Sequence, residues 1–401
     1  MLRLTNGARG SVLLLGLLAC TADLTTPGVC PQTCPGGVVQ VRDTVLEAVL
    51  GMDSAFTGYV LAGEGTGLLV STLEPTNQYL AAFRFGARPD SVRIGDSLYA
   101  YTIDSVAISV GVLARDSAAT GIVLQLYRAP ASLDSGVTYA DLASYTTPAT
   151  FLDSVVVPDT LENGNLRAVF SGADLLKVAI PPADSGVLSV AVGMTADSPT
   201  GVELGSPSAG SFLPTITTYI HVAAVDSTKQ PPAVQRVPTF GTYVEQNPPV
   251  PDPDQLQLGG APSSRILIRF SVTPAALLGL EILRAELVVT PVGPIQGVPN
   301  IGTTMTARGV LSDQGAKSPL VPLLASTTSL LVGSADSVTL EVLALVKAWQ
   351  LPTSPPAQAF FLSLQPEGSS FTRPVFASTR SLSGAPHLRI TYVAPLDFQE
   401  P

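Results

Sequence analysis

Residues 103–110 read IDSVAISV and residues 282–289 read ILRAELVV. Both place apolar residues at alternate positions, the period of a strand with one face on a core and the other toward water. Working outward, the same frame returns on either side. LAAFRF (80–85) answers RILIRF (265–270), LLKVA (175–179) answers LVKAW (345–349), and GVLSVAV (186–192) answers FFLSLQP (360–366). LPTITTYI (213–220) closes the first half as APHLRITYV (385–393) closes the second, and Tyr59-Val60 with Leu68-Leu69-Val70 precede LAAFRF as Tyr243-Val244 with Leu256-Gln257-Leu258 precede RILIRF. Six blocks in one order describe a tandem duplication.

The composition agrees with strands. Of 401 residues 46% are hydrophobic and 13% charged, with 35 Gly and 35 Pro, so the chain has apolar material for large cores and frequent turn residues. The expected fold is all-β: two tandem antiparallel β-sandwiches over residues 38–222 and 223–396, followed by a short tail, 397–401. The boundary is placed near Ala223 because DSTKQPPAVQRV has the proline and polar content of a linker. A second proline-rich stretch, QNPPVPDPDQ, lies inside the second copy.

The second half resembles the DNRLRE domain, also classed as carbohydrate-binding module family 96. The resemblance is carried by RILIRFSVTPAALLGLEILRAELVVT (265–290), VTLEVLALVKAWQ (338–350) and FFLSLQPEGSSFTRPVFASTRSLSGAPHLRITYV (360–393). It implies a jelly-roll-like sandwich of the kind found in exported bacterial proteins. The first half follows the frame more loosely, with Ala179 where the second has Trp349, and the run that names the family is absent from both.

Residues 1–19 carry Arg3 and Arg9 ahead of an apolar run too short to span a bilayer, the layout of an export signal. The run ends in Leu17-Leu18-Ala19-Cys20, which resembles the lipobox of bacterial lipoproteins; the alternative is an ordinary secretory leader cut near a cysteine. The resemblance implies lipidation at Cys20 and, with Thr21 following, an outer-membrane location in a Gram-negative bacterium. Residues 20–37 then form a lipid-anchored stalk, and an oxidising compartment favours a Cys30–Cys34 disulfide over a metal site. Zinc would want about four Cys or His ligands, and His221 and His387 lie far off in sequence.

The net charge is −10, with 10 Lys+Arg against 19 Asp+Glu in 1–222 and 11 against 12 in 223–401. An acidic chain lacks the basic surface that nucleic acid binding draws on. A polysaccharide or an envelope protein is the expected partner, beside the membrane reached through the lipid. The best placement for an anionic ligand is Arg373, Arg380 and Arg389 in the near-neutral second half, which would act by bidentate contacts if their strands are neighbours. Asp252 and Asp254 are weak candidates for calcium, which takes six or more oxygens, and read otherwise as an acidic turn. Arg84 and Arg269 share a frame position on the outward face of a strand, either a shared binding face or framework charges. Trp349 sits in an apolar context and reads as a core anchor.

Catalytic signals are weak: GSPSAG (205–210) fails the nucleophile-elbow spacing, and GEGTG (63–67) is not followed by a helical pattern. The expected function is a non-catalytic envelope module that binds or displays a ligand. The alternatives are a purely structural surface protein and a polysaccharide-active enzyme.

Overall fold

The structure is a computed structural model that describes residues 41–393 other than 74–76, 227, 229, 232, 249, 251, 261, 273–276, 278 and 352. The leader, the stalk with Cys20, Cys30 and Cys34, and the tail from 397 lie outside the described residues. Strands account for 48% of the chain against 9% helix, so the all-β expectation holds.

The described chain opens with a strand pair, β1 (Val41–Glu47) and β2 (Ser54–Thr57). A body of strands follows: β3 (Gly67–Leu73), β4 (Asn77–Phe85), β5 (Ser91–Ile94), β6 (Ser97–Ala100), β7 (Thr102–Arg115), β8 (Val123–Ala129), β9 (Phe151–Val156), β10 (Gly164–Ser171), β11 (Ser189–Thr195), β12 (Gly201–Gly205) and β13 (Thr215–His221). A second pair comes next, β14 (Val234–Arg236) and β15 (Pro238–Glu245). The second body is β16 (Gln255–Gln257), β17 (Ser264–Arg269), β18 (Glu281–Val289), β19 (Thr303–Val310), β20 (Leu320–Leu330), β21 (Val338–Glu341), β22 (Ala357–Gln365), β23 (Val375–Ala377) and β24 (His387–Val393).

In the first sandwich one layer runs β14-β13-β7, with β10 also on β7, and the other runs β15-β4-β11-β8-β9; β12 and β3 join the two into one curled sheet. The second sandwich repeats the strand order of both layers, without a counterpart of the β5–β6 hairpin among the described residues. Its layers are β1-β24-β18-β21 and β2-β17-β22-β19-β20, with β16-β23 where β3-β12 stand in the first. All these pairings are antiparallel, β4 on β11 matching β17 on β22 and β7 on β13 matching β18 on β24. The duplication read from six sequence blocks is therefore a duplication of topology.

The alternation does its expected work. Val106, Ile108, Val110 and Val112 of β7 face the first core together with Phe83 and Phe85 of β4. Ala285, Leu287 and Val289 of β18 face the second core with Ile266, Ile268 and Phe270. Trp349 follows a short helix, Leu343–Ala348, and is 2% exposed, stacked on Phe360 at 5.1 Å between ring centroids. It is a core anchor, as its context predicted.

The domain division departs from the expectation. The pair β1–β2 does not join the strands that follow it. β1 runs along β24, Val41 opposite Val393 through Glu47 opposite His387, and β2 runs along β17. The pair β14–β15, on the far side of the Ala223 boundary, completes the first sandwich on β13 and β4. The division at 222/223 is thus crossed twice. Residues 58–245 hold every strand of the first sandwich, and the second is assembled from 41–57 and 255–393. The working boundary is the proline-rich segment 246–254, which reads in sequence as a loop inside the second copy.

Candidate functional site

Two places concentrate chemistry. The first is the junction between the sandwiches, where loops of the second plug the open end of the first. Val298 and Phe371 are part of the first core, and Gly201 is required there, because a Cβ at that position would lie 2.7 Å from the Phe371 ring. Arg373 grips Glu245 of β15 with both ends of its guanidinium, Nη1 to Oε1 at 2.8 Å and Nη2 to Oε2 at 2.5 Å. It also donates to the Tyr79 hydroxyl at 3.1 Å. Tyr243 donates to the Gly368 carbonyl at 2.7 Å. Burial holds both phenols above the usual tyrosine range, and for Tyr79 the Arg373 charge offsets only part of that rise.

Glu203 of β12 lies beside this network, among the described residues with no cation paired to it, and burial pushes its carboxyl up to about 7, the Ser369 hydroxyl offsetting part of the rise. Gly67 across from it leaves the space it fills, since a Cβ there would meet Glu203 Oε1 at 2.0 Å. Glu203 and Glu245 carry no motif. They become visible only when the topology brings strands far apart in sequence to one plane.

Arginines are the main correction to the sequence reading. Arg373, Arg380 and Arg389 do not form one face. Arg373 is 5% exposed and committed to Glu245. Arg380 donates to the Pro253 carbonyl at 2.8 Å and stands 3.6 Å from Asp53 and 3.5 Å from Asp254. Arg389, exposed on β24, faces Glu286 at 3.8 Å. The reason is that 373 and 380 lie in the loops flanking β23, while 389 lies on a layer whose partners are β1 and β18. Asp252 accepts from the Asp254 backbone N–H at 2.9 Å, the geometry of an acidic turn. Among the described residues no group of three or more metal-ligating side chains occurs.

Arg84 and Arg269 do hold equivalent positions, and each secures the strand pair that completes its sandwich. Arg84 donates to the Leu133 carbonyl at 2.8 Å and lies over the Phe240 ring of β15. Arg269 pairs with Asp313 at 2.5 Å and donates to the Met52 carbonyl just before β2. They act as framework charges. His387 lies in β24 with Nδ1 near the Ala385 carbonyl, and His221 ends β13.

The second place is an open groove of ≈ 730 Å³ on the outer face of the first sandwich. Its floor is Ser109 of β7, Asn165 of β10 and Thr215 of β13, and its walls are Gly210-Ser211 and Gln235 to Val237. One wall exists because the loop after GSPSAG lies directly on the sheet. A Cβ at Gly111 or Gly205 would stand 2.2 or 2.0 Å from the Phe212 carbonyl oxygen. The lining offers amides, hydroxyls and the guanidinium of Arg236, which is itself fixed on the Ala87 carbonyl at 2.8 Å. Such a surface can exchange hydrogen bonds with a polyhydroxylated molecule. The sequence matches no family model and no curated protein.

Proposed function

We propose that the protein is a non-catalytic envelope module, tethered through Cys20, whose interlocked sandwiches present a binding surface to a polysaccharide. The observation that carries this reading is the groove floored by Ser109, Asn165 and Thr215. Its lining combines uncharged hydrogen-bonding groups, the apolar Leu213 and Val237 and the guanidinium of Arg236, and has no carboxylate. The resemblance of the second half to carbohydrate-binding modules supports the same substrate class, and the lipobox-like Leu17 to Cys20 supports the tether.

The site differs from the arginine trio suggested by sequence. Arg373 is a structural group, so its replacement would report on folding and not on recognition. The test uses the chain from residue 38 onward against a glycan array, followed by calorimetry on the polysaccharides it retains. Asn165→Ala with Thr215→Ala is expected to weaken binding at least tenfold while leaving the melting temperature close to the parent's. Binding unchanged by that double variant would remove the groove from the account. An array with no retained glycan would favour a purely structural surface protein.

A further inference from the structure

The pair β1–β2 is a donor that completes a sandwich it does not sit next to in sequence. Its hold is local. β1 lies on the rim of its layer beside β24 alone, and β2 lies on the rim beside β17 alone, so the pair can leave without parting any other strands. All seven β1 residues are exposed or half-buried. The buried anchors are few: Ala48 in the second core, with Leu46 and Ala55 packed against it, and Asp53. Asp53 is 1% exposed and accepts from the Thr379 backbone N–H at 2.7 Å and from its hydroxyl at 2.6 Å.

The pair is joined to the described bodies by one connector, residues 58–66, whereas β14–β15 is held by chain at both ends. That connector carries Gly58 and Gly63 at φ +97° and +89°. Residues 58–60 are themselves held on the second sandwich, the Gly58 N–H donating to the Ser263 carbonyl at 3.0 Å and the Ser263 N–H to the Val60 carbonyl at 2.9 Å, so they leave with the pair, and the six residues 61–66 span up to about 20 Å. The two donors are also alike: SAFTGYV (54–60) answers PTFGTYV (238–244), and each lies antiparallel on an equivalent strand, β17 or β4.

From these features we propose that the edge formed by β24 and β17, once its own β1–β2 leaves it, recognises a second copy of this chain. The copy supplies its own β1–β2 in trans, giving a strand-exchanged dimer with the same contacts as the closed monomer. Because the contacts are identical, the balance is set by effective concentration alone. A short connector imposes an effective concentration on the order of millimolar, so the closed form dominates in dilute solution. Exchange grows where chains are crowded, and tethering at one membrane surface, as in the functional reading above, is such a condition.

Val45 and Arg389 are directly opposed on β1 and β24, and both are exposed. The chain from residue 38 onward contains every described strand and none of the three cysteines. In it, the V45C/R389C variant is unfolded, refolded at rising protein concentration up to about 1 mM, treated with a short thiol cross-linker and run on a denaturing gel. A second variant, Q235C/T217C, bridges the opposed residues of β14 and β13, which stay in one chain on exchange.

The expected result is an intramolecular link at low concentration and a covalent dimer whose share rises with concentration for V45C/R389C, while Q235C/T217C stays intramolecular throughout. Links within one chain at every concentration would overturn the proposal, as would dimers formed equally by both variants. Should V45C/R389C not regain the Trp349 fluorescence of the parent, D43C/T391C, the neighbouring opposed pair, replaces it.

Discussion

At the scale of single residues, the two buried carboxylates of the junction differ: Glu245 is held by Arg373, and among the described residues Glu203 has no salt-bridge partner. Arg373 and Glu245 satisfy each other across the junction, and a buried ion pair that loses one member leaves an uncompensated charge. Burial of Glu203 raises its carboxyl to about 7. Its folded value lies above the ordinary 4.5, so between those values the folded chain holds more proton than the unfolded one. The stabilisation is full below the unfolded value and is lost as pH rises through about 7. The full difference amounts to about 3 kcal/mol. Glu203→Gln keeps a neutral side chain at every pH, so urea unfolding of that variant should show a shallower fall in stability from mildly acid to mildly alkaline pH than the parent. Parallel profiles for the two proteins would show that the carboxyl is solvated and does not titrate high.

At the scale of elements, much was legible. Alternation located β7 and β18, the repeat frame located β4, β17, β13 and β24, and the same frame matched Tyr59-Val60 to Tyr243-Val244, which lie just after β2 and within β15, two equivalent strands. What could not be read was which copy each pair joins. Two equivalent acceptors present nearly the same edge to two similar donors, and local sequence holds nothing that distinguishes a neighbouring partner from a distant one. The groove was hidden for a related reason: Asn165 is opposed to Gly111 across the sheet, and Gly111 and Gly205 both lie under the Phe212 carbonyl, although each is unremarkable in its own strand. Trp349 and the acidic turn at Asp252 were legible because both follow from immediate context.

The turn between β1 and β2 yields its own test. Asp53 ties it to Thr379 and Arg380 of the second sandwich. Asp53→Ala removes a buried acceptor from two donors, at a cost of about 2–3 kcal/mol. The loss should appear in the urea transition followed by the fluorescence of Trp349, the single tryptophan, which sits in that sandwich. An Asp53→Ala transition at the parent's midpoint would mean that the turn is not held by this carboxylate.

At the scale of the molecule, the chain is a duplication in which the first sandwich is inserted between two pieces of the second. Separating the halves at 222/223 would strip each sandwich of its completing pair, so neither piece can serve as an independent domain. The chain crosses between the sandwiches at 58–66 and again at the proline-rich segment 246–254, and the plug of Val298 and Phe371 joins the sandwiches beyond these covalent links. The most direct test of this account compares the chain beginning at residue 38 with one beginning at residue 58. The account predicts that losing 38–57 lowers the midpoint of the Trp349 fluorescence transition sharply, although Trp349 lies far along the sequence. An unchanged Trp349 transition in the shortened chain would contradict the claim that β1–β2 completes the second sandwich.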